Sequence, residues 1–111
     1  MTAQVTQSIV QAGTTPSALT PASSDTFTAA QFGPNGIILR VITTGTVTTT
    51  SVQDPGTTAM SNAGTVAGVA NPATGVRMIA VPVAAISPST QLATVLFSGA
   101  LTGVTYEAYR Y

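Results

Sequence analysis

Gly33-Pro34-Asn35-Gly36-Ile37-Ile38-Leu39-Arg40-Val41-Ile42-Thr43 decides the fold. The first four residues spell a turn, because Pro presets its own φ and Asn and Gly tolerate positive φ. The residues that follow are mostly branched and apolar, which suits a pleated strand. Alternation places Ile37, Leu39 and Val41 on one side and Ile38, Arg40 and Ile42 on the other. Apolar residues on both faces predict a central strand covered on both sides, by a second sheet or by a partner.

Working outward, Gly and Pro recur about every ten residues, the spacing of an all-β domain. No capped, helically periodic apolar stretch interrupts them. Ala3, Val5 and Ile9 alternate with polar neighbours, so Ala3–Ala12 reads as extended. Pro16 and Pro21 make Gly13–Ser24 a loop or an irregular edge. Ser24-Asp25 reads as a cap on a short turn before Phe27. Gly45 marks a hairpin into Thr46–Val52, and Asp54-Pro55-Gly56 a turn over Gln53–Thr58. Ala59–Gly68 is a small-residue loop, with a short strand at Thr65–Val69. Turns at Asn71-Pro72 and Thr74-Gly75 precede a strand over Val76–Pro82. Gln91–Ser98 and Gly103–Tyr111 read as a C-terminal hairpin across Gly99–Thr102. The expected fold is therefore all-β: one β-sandwich or jelly-roll-like domain of about six to eight short strands. Its core joins Ile37, Leu39 and Val41 to Met78 or Ile79 and to Leu96 or Phe97.

Residues 1–8 stand apart from the domain proper, residues 9–111, as an extended arm. Met1–Ser8 has no charge, no Gly and no Pro. A lone strand of this kind gains stability by pairing with a sheet edge, its own or a neighbour's. The expectation is an arm that is mobile in the free protein and ordered against a partner chain.

Composition narrows the chemistry. There is no His, Cys or Trp, the three cations are all Arg, and Thr makes up about a fifth of the chain. Charged residues are 5% of the sequence, against about 25% in ordinary globular proteins. Neutral hydroxyls must therefore keep the surface wet. A Ser nucleophile has no His or Lys base beside it, and zinc has no Cys or His. Asp25, Asp54 and Glu107 lack calcium-loop spacing. No catalytic residue, cofactor or metal is expected. Nucleic-acid binding needs clustered Lys and Arg, and a membrane span needs about 20 apolar residues in a row; neither partner is expected. With a net charge of zero, nothing repels one copy from another, which favours a homo-oligomer.

The candidate contact residues are Val5, Ile9, Arg40, Arg77, Tyr109, Arg110 and Tyr111. Arg40 and Arg77 sit inside apolar strands, where an Arg points outward or pairs at an interface. Tyr109, Arg110 and Tyr111 form an aromatic-Arg group of the kind enriched at interfaces. Tyr106 shares parity with Ala108 and Arg110, so one face of this terminal strand is expected in the core.

The order of segments resembles small head decoration (cement) proteins encoded beside the major capsid protein in tailed bacteriophages. The matching pieces are Ile9-Val10-Gln11-Ala12-Gly13, Thr15-Pro16-Ser17, Asp25-Thr26-Phe27, Asn35-Gly36 leading into Ile37–Thr43, and Gly75-Val76-Arg77-Met78-Ile79 followed by Pro82. Ser24 departs from the Gly expected before Asp25, and Ala59–Ala70 from the expected polar loop. The resemblance implies a structural virion protein on the capsid surface, with the major capsid protein or another virion protein as partner. It brings no catalytic residues. A neck, tail or head-fibre part is the nearest alternative. A carbohydrate-binding or adhesion module is the alternative of another class, and it would need convergent aromatics.

Overall fold

The computed structural model describes residues 2–57, 63–65 and 69–111. Two sheets face each other across one apolar core, so the chain is an all-β sandwich. In chain order the strands are β1 (Thr2–Ala3), β2 (Gln7–Ser8), β3 (Ser24–Thr28), β4 (Ile37–Thr44), β5 (Thr48–Thr57), β6 (Ala63–Thr65), β7 (Val69–Ala70), β8 (Thr74–Val81), β9 (Leu92–Gly99) and β10 (Thr105–Arg110). The described strands outnumber the expected six to eight because β1, β2, β6 and β7 have only two or three residues each. One sheet runs β1-β3-β9-β5-β6, with β7 also on β5; the other runs β2-β10-β4-β8.

Strand β4 alternates as its sequence predicts. Ile37, Leu39 and Val41 are fully buried, while Ile38, Arg40 and Ile42 are half-buried. It is central in its sheet, between β10 and β8. The second sheet of the sandwich covers only its Leu39 face. In the core, Phe27, Ala93, Val95 and Phe97 of the first sheet meet Ile79, Val81, Tyr106 and Ala108 of the second. Ile79 and Phe97 take the expected core places; Met78 points the other way and is 60% exposed. The Phe97 and Tyr106 rings contact across the sandwich with centroids 5.1 Å apart.

The expected hairpins do not form. Strand β9 pairs with β3 and β5, whereas β10 pairs with β4 and β2. Gly45, at φ +104°, turns the chain out of β4, but β5 then joins the opposite sheet. Each connection between these long strands crosses the sandwich, so strands close in sequence lie in different layers. Two further expectations fail. Asp54-Pro55-Gly56 does not end β5, which continues to Thr57 with a register irregularity against β6 between Asp54 and Thr57. A Pro is tolerated at such a bulge. Ser24-Asp25 begins β3 rather than capping a turn, because the Asp25 side chain turns into the core. Strand β8 begins at Thr74, inside the expected turn. Of the expected 59–68 loop and 65–69 strand, residues 59–62 and 66–68 lie outside the described residues, as does Thr58; Ala63–Thr65 and Val69–Ala70 are strands.

Buried hydroxyls explain how so many threonines fit inside. The Thr43 hydroxyl donates to the Pro72 carbonyl at 2.6 Å, and the Thr48 hydroxyl to Ser98 at 3.0 Å. The Asn71 amide donates to Thr50 Oγ1 at 2.9 Å. Each partnership removes the cost of an unpaired buried polar group.

The N-terminal arm bridges both layers within the chain. Strand β1 pairs in parallel with β3, and β2 in parallel with β10. Between them the Gln4 amide N–H donates to the Thr26 carbonyl, and the Thr6 hydroxyl to the Gln31 carbonyl. The sequence predicts an arm on a partner's edge; in the structure it lies on the chain's own. At the other end, the Gly33–Gly36 turn holds the C-terminus: the Asn35 N–H donates to the Tyr111 carbonyl, and the Tyr111 N–H to the Gly36 carbonyl. A Cβ on Gly33 would collide with the Tyr111 backbone, which accounts for the glycine there.

Candidate functional site

The outer face of the β2-β10-β4-β8 sheet brings together residues far apart in the chain. The ladder sets Glu107 beside Arg40 and Arg40 beside Met78. It likewise sets Ile42 beside Val76, and Ile38 between Tyr109 and Ala80. Arg40 Nη1 donates to Glu107 Oε1 at 3.1 Å, and the Tyr109 hydroxyl donates to the same oxygen at 2.8 Å. Burial first, then the hydrogen bond to Glu107, holds the Tyr109 phenol above its usual pKa. The two charges cancel within the face. Around them Val76 and Met78 are 43% and 60% exposed, and Ile38 and Ile42 are half-buried. Exposed and half-buried apolar side chains thus flank a neutral polar cluster whose Glu107 and Tyr109 are themselves buried.

The other contact candidates surround it. Arg77 is exposed on β8, the last strand of the sheet. Arg110 ends β10 with its Nε buried and without a hydrogen-bond partner among the described residues. Tyr111 is exposed, as are Val5 and Ile9 of the N-terminal segment. Tyr109 is buried within the chain, so its contribution to this face is the hydroxyl that braces Glu107. The structure thus unites Arg40 and Tyr109 around Glu107, a residue that sequence reading treats only as a scattered carboxylate.

Sequence reading misses a second polar pair. Asp25 of β3 and Tyr106 of β10 are both fully buried. The Tyr106 hydroxyl donates to Asp25 Oδ2 at 2.7 Å and pins one sheet to the other. The Ala22 N–H donates to the same oxygen at 3.3 Å, while Oδ1 has no partner among the described residues. Desolvation, then the carboxylate, holds the Tyr106 phenol far above its usual pKa, so the hydroxyl remains a donor. The available signal was the core parity of Tyr106, which requires a partner for its hydroxyl.

Asp25 and Glu107 lie on opposite sides of the β2-β10-β4-β8 sheet, Asp25 in the core and Glu107 on the other face, where it too is buried. They do not combine into an acid–base pair. Among the described residues no group of three carboxylates gathers. No family model, curated protein or solved structure matches the chain.

Proposed function

We propose that this chain is a structural virion protein, a small β-sandwich that docks on the head shell of a tailed bacteriophage and stabilises it. The observation that carries this reading is the outer face of the β2-β10-β4-β8 sheet. Val76, Met78, Ile38 and Ile42 offer apolar area to a partner, and Arg40 and Glu107 neutralise each other before docking. Such a face binds by burial and shape, the requirement for seating on a large protein shell. The low charge lets copies stand side by side on that shell. The major capsid protein is the partner, and stabilisation follows from mass action, since binding only the assembled shell favours it. The segment resemblance noted above points the same way.

The direct test is to purify the particles specified by the genome that encodes this chain and analyse them by mass spectrometry. The chain is expected in abundance in intact heads. Its absence from heads, or its presence in tails alone, would defeat the reading. Salt supplies a further expected result. Exposed charge pairs are weak and screened by about 1 M NaCl, so occupancy on particles is expected to change little from low to near-molar salt. Stripping by moderate salt, measured by sedimenting the particles, would show that ionic attraction holds the chain in place.

A further inference from the structure

Strand β8 closes one edge of the β2-β10-β4-β8 sheet, and among the described residues it pairs only with β4. The register against β4 is unbroken from Thr74 opposite Thr44 to Val81 opposite Ile37. The strand therefore has no bulge, and it contains no Pro. An edge of this kind offers a row of backbone N–H and C=O groups to any incoming strand. With a net charge of zero, the whole molecule does nothing to repel another copy.

One residue stands in the way. Arg77 lies opposite Val41, on the same side as Ile79 and Val81, which are buried. It has core-facing parity, yet it is exposed, on the last strand of its sheet. A charge placed on the inward side of an edge strand is one of the devices by which natural sheets block edge pairing. A strand added there covers the guanidinium and strips its water, at a cost unless a partner replaces it. A second copy adding its own β8 supplies no such partner. Thr74–Val81 has no acidic residue, and a two-fold antiparallel pairing brings both Arg77 side chains to the same face.

An incoming carboxylate reverses the balance. The described residues give Arg40 an ion-pair partner in Glu107 but give Arg77 none. A carboxylate opposite Arg77 forms a charge-assisted pair with a fork-shaped donor. The main chain supplies the strand hydrogen bonds, and Val76 and Met78 meet apolar side chains on the other face. We infer that the β8 edge accepts an extended segment with an acidic side chain opposite Arg77, and that Arg77 bars the same edge to other copies of this chain. This goes beyond the shell-docking reading and holds whether or not the partner belongs to a virion.

The test uses the full chain and two probe peptides of alternating threonine and valine, one with glutamate at its centre and one with lysine. Amide NMR follows the residues of β8. The glutamate peptide is expected to shift the Thr74–Val81 amides and to bind roughly tenfold more tightly than the lysine peptide. Arg77→Glu is expected to invert that preference and Arg77→Gln to abolish it, which a merely structural role for Arg77 would not produce. Arg77→Val is expected to sediment as larger species than the parent protein. Equal binding of the two peptides, no shift in β8 with either, or an unchanged preference in Arg77→Glu overturns the acidic partner. A variant Arg77→Val that sediments like the parent overturns the barrier to self-pairing. Neither failure touches the particle experiment.

Discussion

Replacing Tyr106 with phenylalanine is expected to destabilise the protein by about 2–4 kcal/mol, more than the loss of an average hydrogen bond. The reason lies in what remains behind. Asp25 is fully buried, and the Tyr106 hydroxyl at 2.7 Å is its principal donor. Without that hydroxyl, the described residues leave Oδ2 only the Ala22 N–H at 3.3 Å and give Oδ1 no partner. Asp25→Val strands the hydroxyl instead, and is expected to cost about 1–3 kcal/mol. The double variant removes both members of the pair, so neither strands the other, and it frees only the Ala22 N–H, as Asp25→Val already does. Urea unfolding of all four proteins is therefore expected to give a coupling of at least about 1 kcal/mol, with the double variant more stable than the two single losses predict. Strict additivity would mean that the pair does not pin the sheets together.

The same pair gives a pH dependence with a definite sign. Burial and the Asp25 carboxylate raise the Tyr106 phenol in the folded state, and burial and Glu107 raise Tyr109. Unfolded tyrosine ionises near pH 10. Below that value both states hold the proton and the stabilisation is complete; above it the unfolded state sheds protons that the folded state retains, and stability falls. With no Lys and no Cys in the chain, tyrosines are the only side chains that titrate in that window. Tyr106→Phe is accordingly expected to flatten the alkaline loss of stability, measured as unfolding midpoints at about pH 8 and about pH 11.

Local pattern revealed the elements, and distance in sequence hid their partners. Ile37–Thr43 was legible because alternation is a property of neighbouring residues. Leu92–Gly99 and Thr105–Arg110 were legible as strands for the same reason. Their pairing was not, since proximity in sequence favours a hairpin and this chain crosses the core at each long connection. Asp25 shows the same limit. Beside Ser24 it reads as a local cap, but its real partner is Tyr106, 81 residues away. Arg40 was legible as an anomaly in an apolar strand, and its neutralisation by Glu107, 67 residues away, was not. Arg77 was legible in the same way. Only the sheet order distinguishes it, as the charge on an open edge rather than one within a ladder.

Leu39→Ala is expected to cost about 2–5 kcal/mol, the range for emptying a buried leucine site. Leu39 is fully buried, with Ala108 beside it on β10 and Ile79 beside it on β8. Both neighbours belong to backbone ladders on a central strand, so they cannot collapse into the void without disturbing two strand pairings. That resistance places the expected cost toward the upper part of the range. A small domain has about 5–15 kcal/mol in total, so the variant is expected to be poorly soluble. Met78→Ala is the matched control. It lies in the same sheet, opposite Arg40, but on the outer face and 60% exposed. Its expected effect on folding is within about 0.5 kcal/mol, while the shell-docking reading expects it to weaken loading onto particles. Urea unfolding separates the two roles. Equal losses for Leu39→Ala and Met78→Ala would refute the division of this sheet into a core face and a docking face.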